Sequence, residues 1–214
     1  MKTKDRIILG ALTLFNQNGE RSVTTNHIAA HLEISPGNLY YHFGNKEAII
    51  NSIFDNYAQD LKERFQPMAE EEQSSMPSVQ IMMSYLDSIF ELMWNYRFFY
   101  ANLPDILSRD DALKLKYVKA QAALNDNLIA IMNSFRDSGL IALEDDELKS
   151  LTKTLHLVAS CWINYQTALL SDKEITENLI YQGVLQMLNV VRPMATEQGR
   201  AQILELEAHY KGRL

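Results

Sequence analysis

The 214-residue sequence predicts an all-α fold in which a helix-turn-helix near the N-terminus precedes a larger bundle of longer helices. Three observations carry that prediction. Residues 24–47 read as two short helices joined by a tight turn, the arrangement that lays a helix in a DNA major groove. Outside that stretch, apolar residues recur at helical spacing in one segment after another. The composition is 47 % hydrophobic with only 8 Gly and 5 Pro, which places the chain among globular proteins able to bury a sizeable core.

The first element is a helix carrying Ile7, Ile8, Ala11, Leu12, Leu14 and Phe15 on one face. Met1-Lys2-Thr3-Lys4 before it resembles the basic start of a leader, but Asp5 interrupts the pattern and no small-residue cleavage site follows, so a structural helix is expected. No apolar run approaches the ~18 residues of a membrane span, and a soluble, cytoplasmic protein is expected.

The second short helix of the pair has an explicit start: Ser35 is a favoured cap, and Pro36 occupies the first helical position, where a missing N–H costs nothing. Leu39 and Phe43, four apart, are expected to face inward on Ile28, Ala29, Leu32 and Ile34. A helix this short needs that packing. It would hold Gly37, Asn38, Tyr40, Tyr41 and His42 outward. Gly37 and Asn38 fall in the first turn, where small side chains allow close approach to base edges. Tyr40 and Tyr41 can offer hydroxyls to phosphates or contact a thymine methyl, and His42 can donate to a phosphate oxygen. Asn45 caps the next helix. Lys46, in its first turn, opposes the helix dipole by about 0.3 to 1 kcal/mol, a penalty that a bound phosphate would reverse.

On these residues the chain resembles the TetR family of bacterial transcriptional regulators. The resemblance covers about the first 60 residues: a first helix ending in Asn18-Gly19, then Thr24-Thr25, Ile28-Ala29, Ser35-Pro36-Gly37, Leu39-Tyr40, His42-Phe43 and Lys46-Glu47. It implies an all-helical homodimer with a three-helix DNA-binding domain, here residues 1–61, and a C-terminal dimerisation and effector domain, here 62–214. It also implies DNA contacts from Thr24, Thr25 and Asn26, from Ser35, Pro36, Gly37 and Asn38, and from Tyr40, Tyr41, His42 and Lys46. Base reading is assigned to Gly37, Asn38 and Tyr41. One position departs from the family: Glu33 stands where its turn usually has Gly, and Glu pays for a left-handed backbone that Gly adopts freely.

Beyond Lys46 a helix bearing Ile49, Ile50, Ile53, Phe54, Tyr57 and Leu61 runs to about Gln66, where Pro67 stops it. In the family's architecture this helix transmits the effector signal. The charge run from Glu70 to Pro77 reads as a solvated loop. Further helices are expected at about 78–96, 111–138, 145–170 and 175–191, with a last one after Pro193, and the last two long helices are expected to dimerise. Glu144-Asp145-Asp146-Glu147 opens one of them, where carboxylates suit the N-terminal dipole. Aromatic residues concentrate among the middle helices, so a pocket is expected around Tyr85, Phe90, Met93, Trp94, Tyr117, His156 and Trp162, for an apolar effector. Cys161, the only cysteine, permits no internal disulfide and reads as buried filler at helical spacing.

The net charge of −7 is unevenly divided. Residues 1–50 hold five Lys or Arg against four Asp or Glu, so the acid lies in the C-terminal part and the headpiece is weakly cationic. His27 and His31 have a metal-ligand spacing but no third ligand nearby, and no nucleophile grouping or phosphate loop stands out. No metal, cofactor or catalytic residue is therefore expected. The reading is a non-enzymatic, ligand-responsive regulator that binds double-stranded DNA at a palindrome. Its alternatives are an activator using the same contacts, a helical-bundle enzyme, and an interaction module without DNA binding.

Overall fold

The computed structural model describes residues 2–169 and 174–214, and among these residues it is built of helices joined by turns and loops, with no strand and one isolated β-bridge between Ile141 and Ala195. The headpiece comprises α1 (Thr3–Asn18), α2 (Thr25–His31) and α3 (Pro36–His42), and α4 (Lys46–Arg64) leads out of it. Then follow α5 (Glu70–Ser75), α6 (Ser78–Asn95), α7 (Arg97–Ser108), α8 (Asp111–Asp137), α9 (Asp145–Leu169), α10 (Glu177–Val191) and α11 (Glu197–Lys211). Thr24, Ser35, Asn45, Asp110, Thr176 and Thr196 each cap a helix by accepting a backbone N–H with the side chain. Each such cap stabilises its helix by about 1 kcal/mol, which fixes where the headpiece helices begin.

Three elements differ from the sequence expectation. The charge run expected as a loop winds into the short helix α5. Residues 97–108, between two of the expected helices, form α7 despite Pro104 in its interior. Burial of Phe98, Phe99 and Ile106 offsets the backbone hydrogen bond that Pro104 removes. Helix α4 ends at Arg64, with Phe65 buried beyond it. The end expected for α9, at residue 170, lies outside the described residues.

The headpiece does not have a private core. Ile7, Ala11 and Phe15 of α1 pack with Leu39, Phe43, Ile49 and Ile53, and the same cluster continues into Leu92, Phe98 and Phe99. Phe15 and Phe98 bring their ring centroids within 5.3 Å. Asn16 donates to the carbonyl of Asn95 at 2.7 Å and accepts from the Phe98 N–H at 3.1 Å, so α1 is fastened to the α6–α7 corner.

On the far side, α9 and α10 approach closely because residue 183 is glycine. A Cβ there would sit 2.6 Å from the Trp162 ring. The Trp162 indole donates to the Leu179 carbonyl at 2.6 Å. Cys161 corrects the expectation of buried filler: it is exposed. It lies on a helix face with Leu157, Tyr165 and Leu169, which are 62 %, 58 % and 65 % exposed. Helical spacing identified an apolar face but not which side of α9 the rest of the chain covers.

Candidate nucleic-acid interface and effector cavity

The turn between α2 and α3 closes as a left-handed C-cap. The Ile34 N–H reaches the Ala29 carbonyl at 3.0 Å and the Glu33 N–H reaches the Ala30 carbonyl at 3.1 Å. Glu33 takes the left-handed position with φ of 55°. Relieving an L-residue there gains about 1 to 2 kcal/mol, against about 0.5 to 1 kcal/mol of extra unfolded-chain entropy for glycine. Glu33→Gly should therefore raise the melting temperature by up to about 6 °C in a thermal denaturation scan. A lower value than that of the parent protein would mean that the glutamate makes a compensating interaction.

Leu39 is fully buried and Phe43 nearly so, which turns the opposite face of α3 to solvent. Ser35 Oγ accepts the Asn38 N–H at 3.1 Å. Asn38 and Gly37 are exposed, and nothing lies nearer than 4.0 Å to where a Gly37 Cβ would stand. No internal packing requires glycine there. Tyr41 is 85 % exposed and meets His42 edge to face at 5.1 Å. Tyr40, 49 % exposed, shares a 3.0 Å hydrogen bond with Thr25, so its hydroxyl also pins α3 to the start of α2. Thr24 and His27 form a reciprocal capping box, which leaves Asn26 exposed beside them. Pro36 is exposed at the first turn of α3.

Lys46 differs from the expected free cation. Its Nζ lies 2.8 Å from Glu20 Oε1 and donates to the Glu20 and Val23 carbonyls at 3.0 and 3.2 Å. Glu20 is fully buried, and its Oε2 accepts from Arg109 at 2.8 Å. A carboxylate removed from water requires such partners, and it offsets the unfavourable position of a cation at a helix N-terminus. Arg21 pairs with Asp105, whose carboxyl is held below the usual range first by that hydrogen bond. Two of the five headpiece cations are thus held in ion pairs: Arg21 ties the headpiece directly to α7, and Lys46 shares Glu20 with Arg109 at the α7 C-cap. Sequence reading missed Glu20 because a single acid in a polar run carries no sign of burial.

Between the middle helices lies a cavity of about 160 Å³. Its walls include Leu61, Leu86, Ile89, Leu124, Leu128 and Ile131, and it contains three of the seven residues expected in a pocket: Tyr85, Met93 and His156. Tyr117 instead lines a small adjoining cleft. The other three pack elsewhere: Phe90 stacks on Tyr181 at 4.1 Å, Trp94 lies 4.0 Å from the Arg97 guanidinium, and Trp162 sits against Gly183. Tyr57 of α4, Tyr100 of α7 and Gln121 of α8 also line the cavity. Gln121 was detectable as a polar residue on the stripe of Leu113, Leu124, Leu128 and Ile131, since a buried polar group is the informative exception. Among the described residues, no group of three or more His, Cys, Asp or Glu side chains could hold a metal, and no helix is long and apolar enough to cross a membrane.

The chain has known relatives. The family model described as "Bacterial regulatory proteins, tetR family" matches residues 7–53, and the TetR model described as "Bacterial transcriptional repressor" matches residues 56–203. A TetR-family transcriptional regulator from Marinobacter aquaeolei VT8 superimposes with a TM-score of 0.82 at 34 % identity, over 98 % of this chain and 99 % of that one. The biofilm operon icaADBC HTH-type negative transcriptional regulator IcaR of Staphylococcus epidermidis is 27 % identical over 87 % of this chain and 97 % of its own length. The regulator QacR of Staphylococcus aureus is 44 % identical over 55 residues, 26 % of this chain and 29 % of its own. With a family model spanning well over half its length and a relative of the same architecture end to end, the chain belongs to the TetR family of bacterial transcriptional regulators, which are not enzymes.

Proposed function

We propose that the protein is a cytoplasmic homodimeric repressor that binds a palindromic operator and is released from it by a small apolar effector held in the central cavity. The observation that carries this reading is the outer face of α3. Gly37, Asn38 and Tyr41 have no internal role that explains their identity, and they stand on a helix locked from behind by Leu39 and Phe43. Ser35, Pro36 and His42 flank them, and Thr24, Thr25, Asn26 and Tyr40 stand at the start of α2 or beside it to meet phosphates. Lys46 serves as a positioning residue in this reading, because its ammonium is held by Glu20.

Residues 1–61 act as the DNA-binding unit and 62–214 as the dimerisation and effector unit. The exposed face of Leu157, Cys161, Tyr165 and Leu169 supports a second copy packing along α9. A dimer would place two α3 helices in successive major grooves about 34 to 36 Å apart. An effector shifts that spacing by binding one arrangement better, tenfold for each ~1.4 kcal/mol of preference. Tyr57 gives it a direct route, since it sits on α4 and in the cavity wall. The repressor assignment rests on the family description and on the negative regulator among the relatives.

The test is a fluorescence titration of the protein with DNA from immediately upstream of its coding region, against competitor DNA, at two salt concentrations. Tight binding over competitor that weakens with salt is expected. Equal, weak binding to both DNAs overturns the assignment of that region as operator, and the same result with a genomic fragment library overturns DNA binding itself.

A further inference from the structure

Among the described residues, those that line the cavity include no Asp, Glu, Lys or Arg. Most of it is Leu, Ile, Met, Phe and Val. Its polar groups are few, and several are already engaged. The Tyr85 hydroxyl donates to the Gln66 carbonyl at 3.1 Å and accepts the Met68 N–H at 3.2 Å, while Thr152 donates to the Leu148 carbonyl at 2.8 Å. What remains gathers at one corner. Tyr57 from α4, Tyr100 from α7, Gln121 from α8, and His156 and Ser160 from α9 all line the wall, and His156 Nε2 lies 2.7 Å from Gln121 Oε1. The Tyr57 hydroxyl interacts with the Tyr100 hydroxyl and with the Gln121 side-chain amide. Burial lowers the His156 pKa and raises those of Tyr57 and Tyr100, so all three groups are neutral at neutral pH.

An ion in such a site would lose its hydration with no opposite charge to replace it. An uncharged molecule with one hydrogen-bonding group would not. Its head could exchange bonds with Gln121 and His156 while its body displaced nothing but apolar space. Size narrows the class further: a dry apolar cavity of about 150 Å³ holds benzene, and this one is 160 Å³.

We propose that the cavity selects uncharged effectors with an apolar body near one aromatic ring in size and a single hydrogen-bonding head seated at the Gln121–His156 corner. Organic cations and carboxylates are excluded. This rests on the reading of the cavity as an effector site, and it adds the ligand's charge, polarity and size.

Three probes that share one propylphenyl body and differ in the head separate the terms: 4-propylphenol, propylbenzene and 4-propylbenzoate, titrated calorimetrically into the full-length protein at neutral pH. The phenol should bind, propylbenzene about fivefold to tenfold more weakly for want of one net hydrogen bond of about 1 kcal/mol, and the benzoate at least 100-fold more weakly. Gln121→Leu and, separately, His156→Leu should erase the phenol's advantage while leaving propylbenzene affinity within about threefold, a pattern that general unfolding of either variant cannot produce. Benzoate binding as tight as phenol, or no binding by any probe, overturns the proposal. DNA binding by the probe-free protein is measured alongside and reports on the regulator reading independently. Phenol-selective binding that leaves DNA affinity unchanged supports the ligand class and overturns the effector role.

Discussion

Lys46→Met should lower the stability of the protein by about 3 kcal/mol, the low end of the cost of leaving a buried charge without one of its partners. Glu20 is fully buried, and the substitution removes the ammonium 2.8 Å from one carboxylate oxygen while Arg109 retains the other. The methionine keeps the aliphatic stem, so packing changes little. The melting temperature should fall by about 6 to 12 °C for a chain of this size. A lysine whose only duty was a phosphate contact would behave differently. Its loss would leave the melting temperature nearly unchanged and reduce the salt dependence of DNA binding by about one counterion per subunit. Adding Glu20→Gln to Lys46→Met should recover much of the lost stability, because the carboxylate that needed the cation is gone. No recovery in the double variant would mean that the lysine acts through the Glu20 and Val23 carbonyls alone.

Asn38→Ala should leave the fold intact and cost operator affinity about 2 to 6 kcal/mol, roughly 30-fold to 10⁴-fold, because a base contact of about 1 to 3 kcal/mol occurs twice on a palindrome. The side chain is exposed in the first turn of α3, and the backbone N–H that anchors it to Ser35 is kept. Alanine is also a good helix former, so the melting temperature should move by no more than about 0.5 kcal/mol of stability implies. Titrations against operators varied one position at a time should show preference relaxed at one base pair in each half-site. Uniform weakening across all sequences, with a shallower salt dependence, would instead place Asn38 on a phosphate.

The two predictions fall on opposite sides of what sequence reading can reach. Ser35-Pro36 announced the start of α3, and the four-residue spacing of Leu39 and Phe43 fixed which face turns inward. Both follow from local geometry, and the structure has the helix begin and face as they require. The left-handed Glu33 was legible in the same way, from where a turn must be closed. Lys46 was not. Its neighbours in sequence describe a first-turn cation, whereas its partners come from residues 20 and 23, and Glu20 in turn draws on residue 109.

The cavity shows the same division. Aromatic abundance located its neighbourhood, but of the seven residues expected there, Phe90, Trp94 and Trp162 serve as packing elements between helices. Aromatic side chains fill a core as readily as they line a hole, and only the relative placement of helices decides which. Gln121 and Tyr57 became site residues because four helices converge on one corner. Cys161 reversed for a related reason: periodicity groups residues on a face without saying whether the chain itself covers that face.

By itself, then, the sequence determined the all-helical class, the position and caps of the helix-turn-helix, and the outward set on α3, since each depends on residues within about one or two helical turns of one another. The tertiary structure decided the burial of Glu20 with Lys46 and Arg109, the identity and neutrality of the cavity's polar corner, and the exposed face of α9. Those depend on contacts between segments distant in the chain, where the energy of a charge or an apolar group is set by what the rest of the fold takes away from water.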